Sequence, residues 1–139
     1  MNYHNYQNQR YKPQGKPERF QPDVDKIKKI LNGDAQLLNE YANDLAVDFI
    51  SPKNERYRLS TSQIRNVLDE IQRMQQYDKT KLQLLRPKLA YAAGRHKGKV
   101  KEFRDLIEEL LKYTNQDNFQ YFKYFIEAIV AYHRYHGGK

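Results

Sequence analysis

The chain has 139 residues, enough for one domain with a sizeable core, and its 25 Lys and Arg residues against 17 Asp and Glu residues give a net charge of +8. Such a charge favours a polyanionic partner, either nucleic acid or an anionic membrane surface. The absence of cysteine excludes disulfide frameworks, thiolate zinc sites and cysteine nucleophiles, and the lack of any long apolar run predicts a cytoplasmic protein without a membrane span.

Residues 1–22 differ in composition from the rest of the chain. They contain one residue of the Leu, Ile, Val and Phe set, Phe20, among Tyr, Asn, Gln and three prolines, and they carry a net charge of +3. So few apolar side chains cannot offset the entropy lost on ordering. We predict a disordered basic tail over residues 1–22, either passive or a tether for nucleic acid, followed by one domain over residues 23–139.

Downstream of this tail the apolar residues recur with helical spacing, and no segment alternates as a strand would. The sequence therefore predicts an all-α fold, a compact bundle of about five to six helices. Ser60 and Gln63 form a capping box at the start of the third helix. In the fourth helix we expect a kink at Pro87 and an end at Gly94 or Gly98. The predicted helices cover about 23–31, 34–49, 60–76, 78–95, 100–113 and 117–136.

The positive charge is concentrated in residues 79–104, where nine basic side chains and one acid give a net charge of +8. On the fourth helix Lys81, Lys88 and Arg95 recur every seven residues, with Tyr91 on the same side. Because the leucines of this helix occupy the opposite stripe, the basic ridge faces solvent. The basic loop that follows suits phosphate contacts, although a solvated face without a ligand is the alternative. This loop and its flanks supply Lys97, Lys99 and Lys101.

Other polar residues favour structural roles. Arg65, Asp69 and Arg73 follow one another at i, i+4 steps on the third helix, which is typical of exposed pairs within a helix. His133 and His136 lie near the end of the last helix, where we expect them to interact with the helix dipole rather than with a metal.

Catalytic patterns are scarce. His96 could act as the base of a ribonuclease, but no second acid or base stands at a diagnostic spacing. Phosphate-binding, zinc-protease and nucleophile-elbow motifs are absent from the sequence. We therefore predict no enzymatic activity, no cofactor and no metal. The last helix instead favours contact with another subunit, because four tyrosines make it apolar on more than one side. These are Tyr121, Tyr124, Tyr132 and Tyr135.

Three stretches resemble a known family. They are LSTSQIRN at residues 59–66, LLRPKLAYAAGR at 84–95, and FKYFIEAIVAYH at 122–133 with the Gly-Gly-Lys that ends the chain. In this order they resemble the small subunit of the Csm complex, the type III-A CRISPR RNA-guided interference effector of antiviral defence. The resemblance covers about residues 59–139 and leaves out the Tyr/Asn/Gln-rich tail.

The resemblance implies a non-catalytic, all-helical subunit that stacks in a few copies along the backbone subunits and lines the groove holding the guide RNA and its target RNA. Its partners would be those RNAs, other Csm subunits and further copies of itself. Arg65, Lys88, Arg95 and Tyr132 fall within the three motifs. With the charge pattern, the candidate RNA-binding residues are Arg65, Lys88, Tyr91, Arg95, Lys97, Lys99 and Lys101.

Two other functions compete with this interpretation. A stand-alone DNA-binding regulator of helix-turn-helix type would use the third helix, where Gln63, Arg65 and Asn66 could face base edges. A small ribonuclease would depend on His96. Isolation from native cells separates the three functions, because only the Csm subunit would co-purify with CRISPR RNA and several partner subunits.

Overall fold

A computed structural model describes residues 20–139 of the chain, and every segment with regular structure in that range is helical. The predicted all-α fold is confirmed, with six α-helices and one short 3₁₀ turn over these residues. The helices are α1 (Val24–Leu31), α2 (Ala35–Phe49), α3 (Thr61–Gln72), α4 (Lys79–Arg95), α5 (Lys99–Tyr113) and α6 (Phe119–Tyr135), and the 3₁₀ turn is Glu55–Tyr57.

Polar caps begin the helices where the sequence places them. The predicted capping box is present, because the Gln63 amide donates to Ser60 Oγ at 3.1 Å and the Ser60 amide donates to Gln63 Oε1 at 2.9 Å. Asp34 and Asp78 accept from backbone amides in the first turns of α2 and α4, both at 3.0 Å. These bonds satisfy amides that would otherwise lack a partner.

One predicted boundary and one predicted terminating residue are wrong. The third helix ends at Gln72 rather than near residue 76, although Met74 just beyond it is still buried. Neither glycine ends the fourth helix: Gly94 lies inside α4, and His96 follows its last residue with an extended backbone. Gly98 instead precedes α5 with φ of +101°, a conformation that favours glycine, so it belongs to the turn into the next helix.

The core lies around α6, which packs against α1, α2 and α3. Its Phe125 ring stacks on Tyr41 of α2 with centroids 5.8 Å apart. At the C-terminal end of α2, Phe49 meets Phe103 of α5 edge to face, with ring centroids 5.9 Å apart. The fourth helix has a more peripheral place, because it packs on α5 and, less extensively, on α3.

One residue of the predicted tail packs against the helical body. Phe20, which the sequence assigns to the tail, contacts the core, and its ring centroid lies 6.4 Å from that of Phe49. The prediction of disorder for residues 1–19 lies outside the described residues.

The two histidines at the end of α6, His133 in its last turn and His136 just after it, make specific contacts with other segments. His133 is 1% exposed, and its Nε2 donates to the carbonyl of Leu59 at 2.7 Å. The ring leaves no room for a side chain at Gly138, whose amide donates to the His133 carbonyl at 2.8 Å. His136 Nε2 bonds Asn43 Oδ1 of α2 at 2.7 Å. Both histidines therefore hold the end of α6 against its neighbours.

Candidate nucleic-acid interface

Of the six helices, α4 has the largest net positive charge. Its 17 residues contain five basic side chains and no acid. Leu82, Leu85 and Leu89 are buried against the rest of the molecule, which turns the opposite side of the helix to solvent. That side carries Lys81, Lys88, Tyr91 and Arg95, which we call the α4 ridge.

Tyr91 and Arg95 form a pair on this ridge. The Tyr91 side chain is 67% exposed, and the guanidinium carbon of Arg95 lies 5.7 Å from its ring centroid. This distance allows a cation–π contact that orders both side chains without burying them. The ridge therefore presents an aromatic surface and a positive charge side by side.

A groove of about 480 Å³ separates the ridge from α3. Its floor is apolar and includes Val67, Leu89 and Phe103. Polar side chains line its two walls. Those on the α4 side are Lys88, Tyr91, Arg95 and His96, and those on the α3 side are Ser62, Gln63, Asn66, Asp69, Glu70 and Arg73. The predicted residues of the fourth helix are thus brought together at one groove.

The α3 wall is the part of this groove that the sequence prediction missed. Glu70 Oε1 accepts from Arg73 Nη1 at 3.0 Å and from Lys88 Nζ, across the groove, at 3.4 Å. The predicted pairs of Arg65, Asp69 and Arg73 are not formed, since Arg73 pairs with Glu70 instead. The sequence does contain a pattern that could have predicted this wall: residues 66, 69, 70 and 73 are all polar, and their spacing puts them on one side of the helix.

Lys97 and Lys101 lie on a different surface. With Arg104 they line a shallow depression of about 370 Å³ between α4 and α5, whose apolar part is formed by Ala90 and Ala93. The basic loop therefore does not simply extend the ridge. Its charges divide between two sides of α4.

Lys99 forms ion pairs within the protein and is not free to bind a ligand. Its ammonium lies 3.1 Å from Asp48 of α2 and 3.1 Å from Glu102 of α5, and its side chain is 17% exposed. Burial lowers the pKa of Lys99, but the hydrogen bonds that its ammonium donates to Glu102 and Asp48 outweigh that effect and leave the pKa above its ordinary value. Burial, together with the nearby Asp48, raises the pKa of Glu102 despite Lys99. Lys99 thus joins α5 to α2.

Arg65 lies apart from the ridge, beside the end of α6. It lines a depression of about 340 Å³ with Thr61, Ile64 and Arg134 among others. Within residues 20–139 it forms no ion pair. The seven predicted residues thus fall on four surfaces, and three of them, Lys88, Tyr91 and Arg95, share the groove.

Arg86, also on α4, forms a bidentate ion pair with α5. Its Nε and Nη2 donate to the two carboxylate oxygens of Glu108, both at 2.9 Å. The hydrogen bond from Arg86 is the main cause that holds the pKa of Glu108 below its ordinary value. This pair joins α4 to α5 at the protein surface.

The competing functions find little support in the geometry. Residues 50–60 separate α2 from α3, whereas a helix-turn-helix motif joins its helices by a turn of about three to four residues. His96 is exposed at the groove and bonds no acid or base in the part of the chain that the structure describes. Among those same residues, no helix has the length and apolar character needed to cross a membrane, and no cluster of three ligating side chains could hold a metal.

Comparison with known proteins places the chain in a family. No curated protein and no solved structure matches the chain. A family model described as Csm2 Type III-A matches residues 32–139, which include α2 through α6 and all seven candidate residues. The resemblance read from the three sequence motifs is thereby confirmed, and the chain belongs to the Csm2 Type III-A family, the structural small subunits of type III-A CRISPR Csm complexes.

Proposed function

We propose that this protein is a non-catalytic subunit that binds the RNA backbone within a type III-A Csm ribonucleoprotein, and that the α4 ridge is its main contact with RNA. The observation that carries the proposal is the composition of α4, which has five basic side chains, no acid and a solvent-facing side. A helix of one charge sign repels itself and gains from a polyanion, which releases counterions on binding.

The spacing of the ridge fits an extended strand. Lys81 and Arg95 are fourteen residues apart, which is about 21 Å along a helix at 1.5 Å per residue. Lys88 lies midway, so three cations at regular intervals follow one line. Lys and Arg that touch only phosphates position a strand without reading its sequence, as a subunit serving many different guides requires.

The ion pair between Lys88 and Glu70 does not prevent RNA binding. Both side chains are accessible, with exposed fractions of 63% for Lys88 and 37% for Glu70. An exposed pair of this kind contributes about 0–1 kcal/mol, so a phosphate can replace the carboxylate at little cost. Arg95 has no carboxylate partner among residues 20–139 and meets Tyr91 instead.

Contact with other Csm subunits or further copies is supported by α6. Tyr124 and Tyr135 are 48% and 80% exposed, and tyrosine is enriched at protein interfaces. Tyr121 and Tyr132 pack partly against the core, so only two of the four tyrosines identified from the sequence are free for a partner. We place the protein contacts on this side, away from the ridge.

The test is RNA binding by a variant with Lys81, Lys88 and Arg95 all replaced by Gln. Each lost phosphate contact to a single strand should lower the slope of log affinity against log salt concentration by about 0.7, or roughly 2 for three contacts. We expect weaker binding of two unrelated RNAs to the same extent, with an unchanged melting temperature, because all three side chains are exposed.

The matched control replaces three exposed lysines elsewhere, Lys29, Lys53 and Lys112, by Gln. It removes the same charge and should leave most of the salt slope in place. A triple ridge variant that keeps the wild-type slope, or that loses affinity for one RNA only, would overturn the proposal. Both variants should be compared free and in the assembled complex.

A further inference from the structure

The groove between α3 and α4 is larger than phosphate contacts with the ridge would require. Its volume of about 480 Å³ lies within the range of roughly 300–1,000 Å³ that is usual for small-ligand sites. Its floor of Val67, Leu89 and Phe103 is apolar, which suits a flat, weakly polar group better than a hydrated phosphate. Phosphates alone would leave this space unused.

The two walls of the groove differ in charge, and this difference determines how a bound strand would be oriented. Lys88 and Arg95 stand on the α4 wall. Asp69, Glu70 and Arg73 stand on the α3 wall, where Arg73 pairs with Glu70 and the net charge stays negative. A strand lying along the ridge would therefore place its phosphates on the α4 wall, which carries two cations and no carboxylate. The side of the strand that faces α3 is then the base.

Tyr91 and the polar wall complete a site for such a base. Nucleobases stack on exposed aromatic rings, and every base has a face that can do so. Asn66, on the opposite wall, forms no side-chain hydrogen bond within residues 20–139, so its amide is available both to donate and to accept. Because this amide can both donate and accept, it can form a hydrogen bond with the edge of any base.

We infer that the groove between α3 and α4 holds one unstacked base of the bound single-stranded RNA, with the base against Tyr91 and its flanking phosphates on Lys88 and Arg95. The inference rests on the proposed function and names the part of the RNA that this site takes. Binding in the groove is tolerant of base identity, because stacking and an adaptable amide select no single base.

The experiment compares two ligands of equal length and charge, an oligouridine and an abasic ribose–phosphate oligomer. The full-length wild-type protein should bind the oligouridine about tenfold more tightly, since stacking on an aromatic side chain contributes about 1–3 kcal/mol per base. Tyr91→Leu should abolish this preference and leave the salt slope unchanged, whereas Tyr91→Phe should retain it. Tyr57→Leu, at an exposed tyrosine that lies beside Arg56 and outside the groove, is the matched control and should behave as wild type.

The possible failures are distinct. If Tyr91→Leu keeps both the preference and the slope, the groove does not hold a base, and the ridge proposal stands. If the wild-type protein shows no salt-dependent affinity for either ligand, the proposed function fails together with the inference. If Tyr91→Leu binds both ligands as wild type does but no longer assembles with Csm subunits, the groove takes a protein side chain and the inference is overturned. Tyr91 is 67% exposed, so melting curves of the variants should coincide.

Discussion

Helices α2 and α4 have similar lengths, 15 and 17 residues, and both begin at an aspartate cap, yet their environments differ. The α2 helix has three acids and no base, and it buries six residues against α6, α1 and α5. The α4 helix has five bases and no acid, and it buries three residues against α5 and α3. The α2 helix is part of the core, whereas α4 packs on its edge.

This difference shows how a small basic domain can separate stability from binding. Burial of apolar side chains stabilises by about 25 cal/mol per Å², so the helix with more buried residues bears more of the folding free energy. The helix with fewer can leave its outer side charged, because its position needs only an apolar stripe and a few pairs. Substitutions in the two helices and at their contacts should therefore change different measured quantities.

The largest effect is expected where α2 meets α6. Phe125→Ala removes a fully buried ring that stacks on Tyr41, and a substitution of this kind costs about 3–5 kcal/mol of unfolding free energy. The matched change on the outer side of α4 is Leu84→Ala, at a side chain 61% exposed, which should stay within about 0.5 kcal/mol. Urea denaturation measures both. Similar losses for the two variants would contradict the comparison.

The next effect concerns the turn that joins α4 to α5. Gly98 has φ of +101° and ψ of −143°, and a Cβ there would overlap the carbonyl oxygen of Tyr57. The backbone strain alone of Gly98→Ala is about 1–3 kcal/mol. Gly94→Ala is the control, because Gly94 is helical and has open space at the Cβ position, so it should be neutral or stabilising. If Gly98→Ala melts as the wild type does, the turn does not fix α4.

Much of this arrangement follows from sequence patterns that act locally. The capping box at Ser60 and Gln63, the leucine stripe of α4 and the outward position of Lys88 depend on residues within two turns of each other. Periodicity and capping report such relations directly. They therefore predict which side of a helix is buried and which side can bind.

The relations that the sequence could not predict are long-range. Lys99 pairs with Asp48, 51 residues away, and His133 bonds the carbonyl of Leu59, 74 residues away. The pair with Glu102 lies three residues along the same helix, but nothing near Lys99 in the chain indicates the pair with Asp48, since Lys97, Lys99 and Lys101 lie in one basic stretch. Only the packing of α5 against α2 turns one lysine inward. The same limit applies to the α3 wall of the groove, which becomes a wall only when α4 packs beside it.

A smaller effect on stability is expected at Lys99, the inward-facing lysine, than at the turn, and none is expected at its exposed neighbour Lys101. Lys99→Gln leaves Asp48 and Glu102 facing each other without a cation, so we expect a loss of about 1 kcal/mol of unfolding free energy. The salt slope of RNA binding should not change. Lys101→Gln, at an exposed lysine, should leave stability within about 0.5 kcal/mol. If Lys99→Gln lowered the RNA slope at unchanged stability, Lys99 would belong to the interface rather than to the core.

The smallest effect is a pH dependence at the pair that holds α4 to α5. Arg86 holds the pKa of Glu108 below its ordinary value of 4.5, so the folded state prefers the charged carboxylate more than the unfolded state does. This contribution to stability is present above the unfolded pKa and is lost as pH falls through the folded pKa. Wild type should therefore lose more stability than Glu108→Gln between neutral pH and about pH 3, by a melting-temperature difference of about 2 °C. Glu40→Gln, on the outer side of α2, is the control and should follow the wild-type profile. If the profiles of wild type and Glu108→Gln run parallel, the Arg86–Glu108 pair does not stabilise the position of α4, and burial of its leucines alone must hold the ridge.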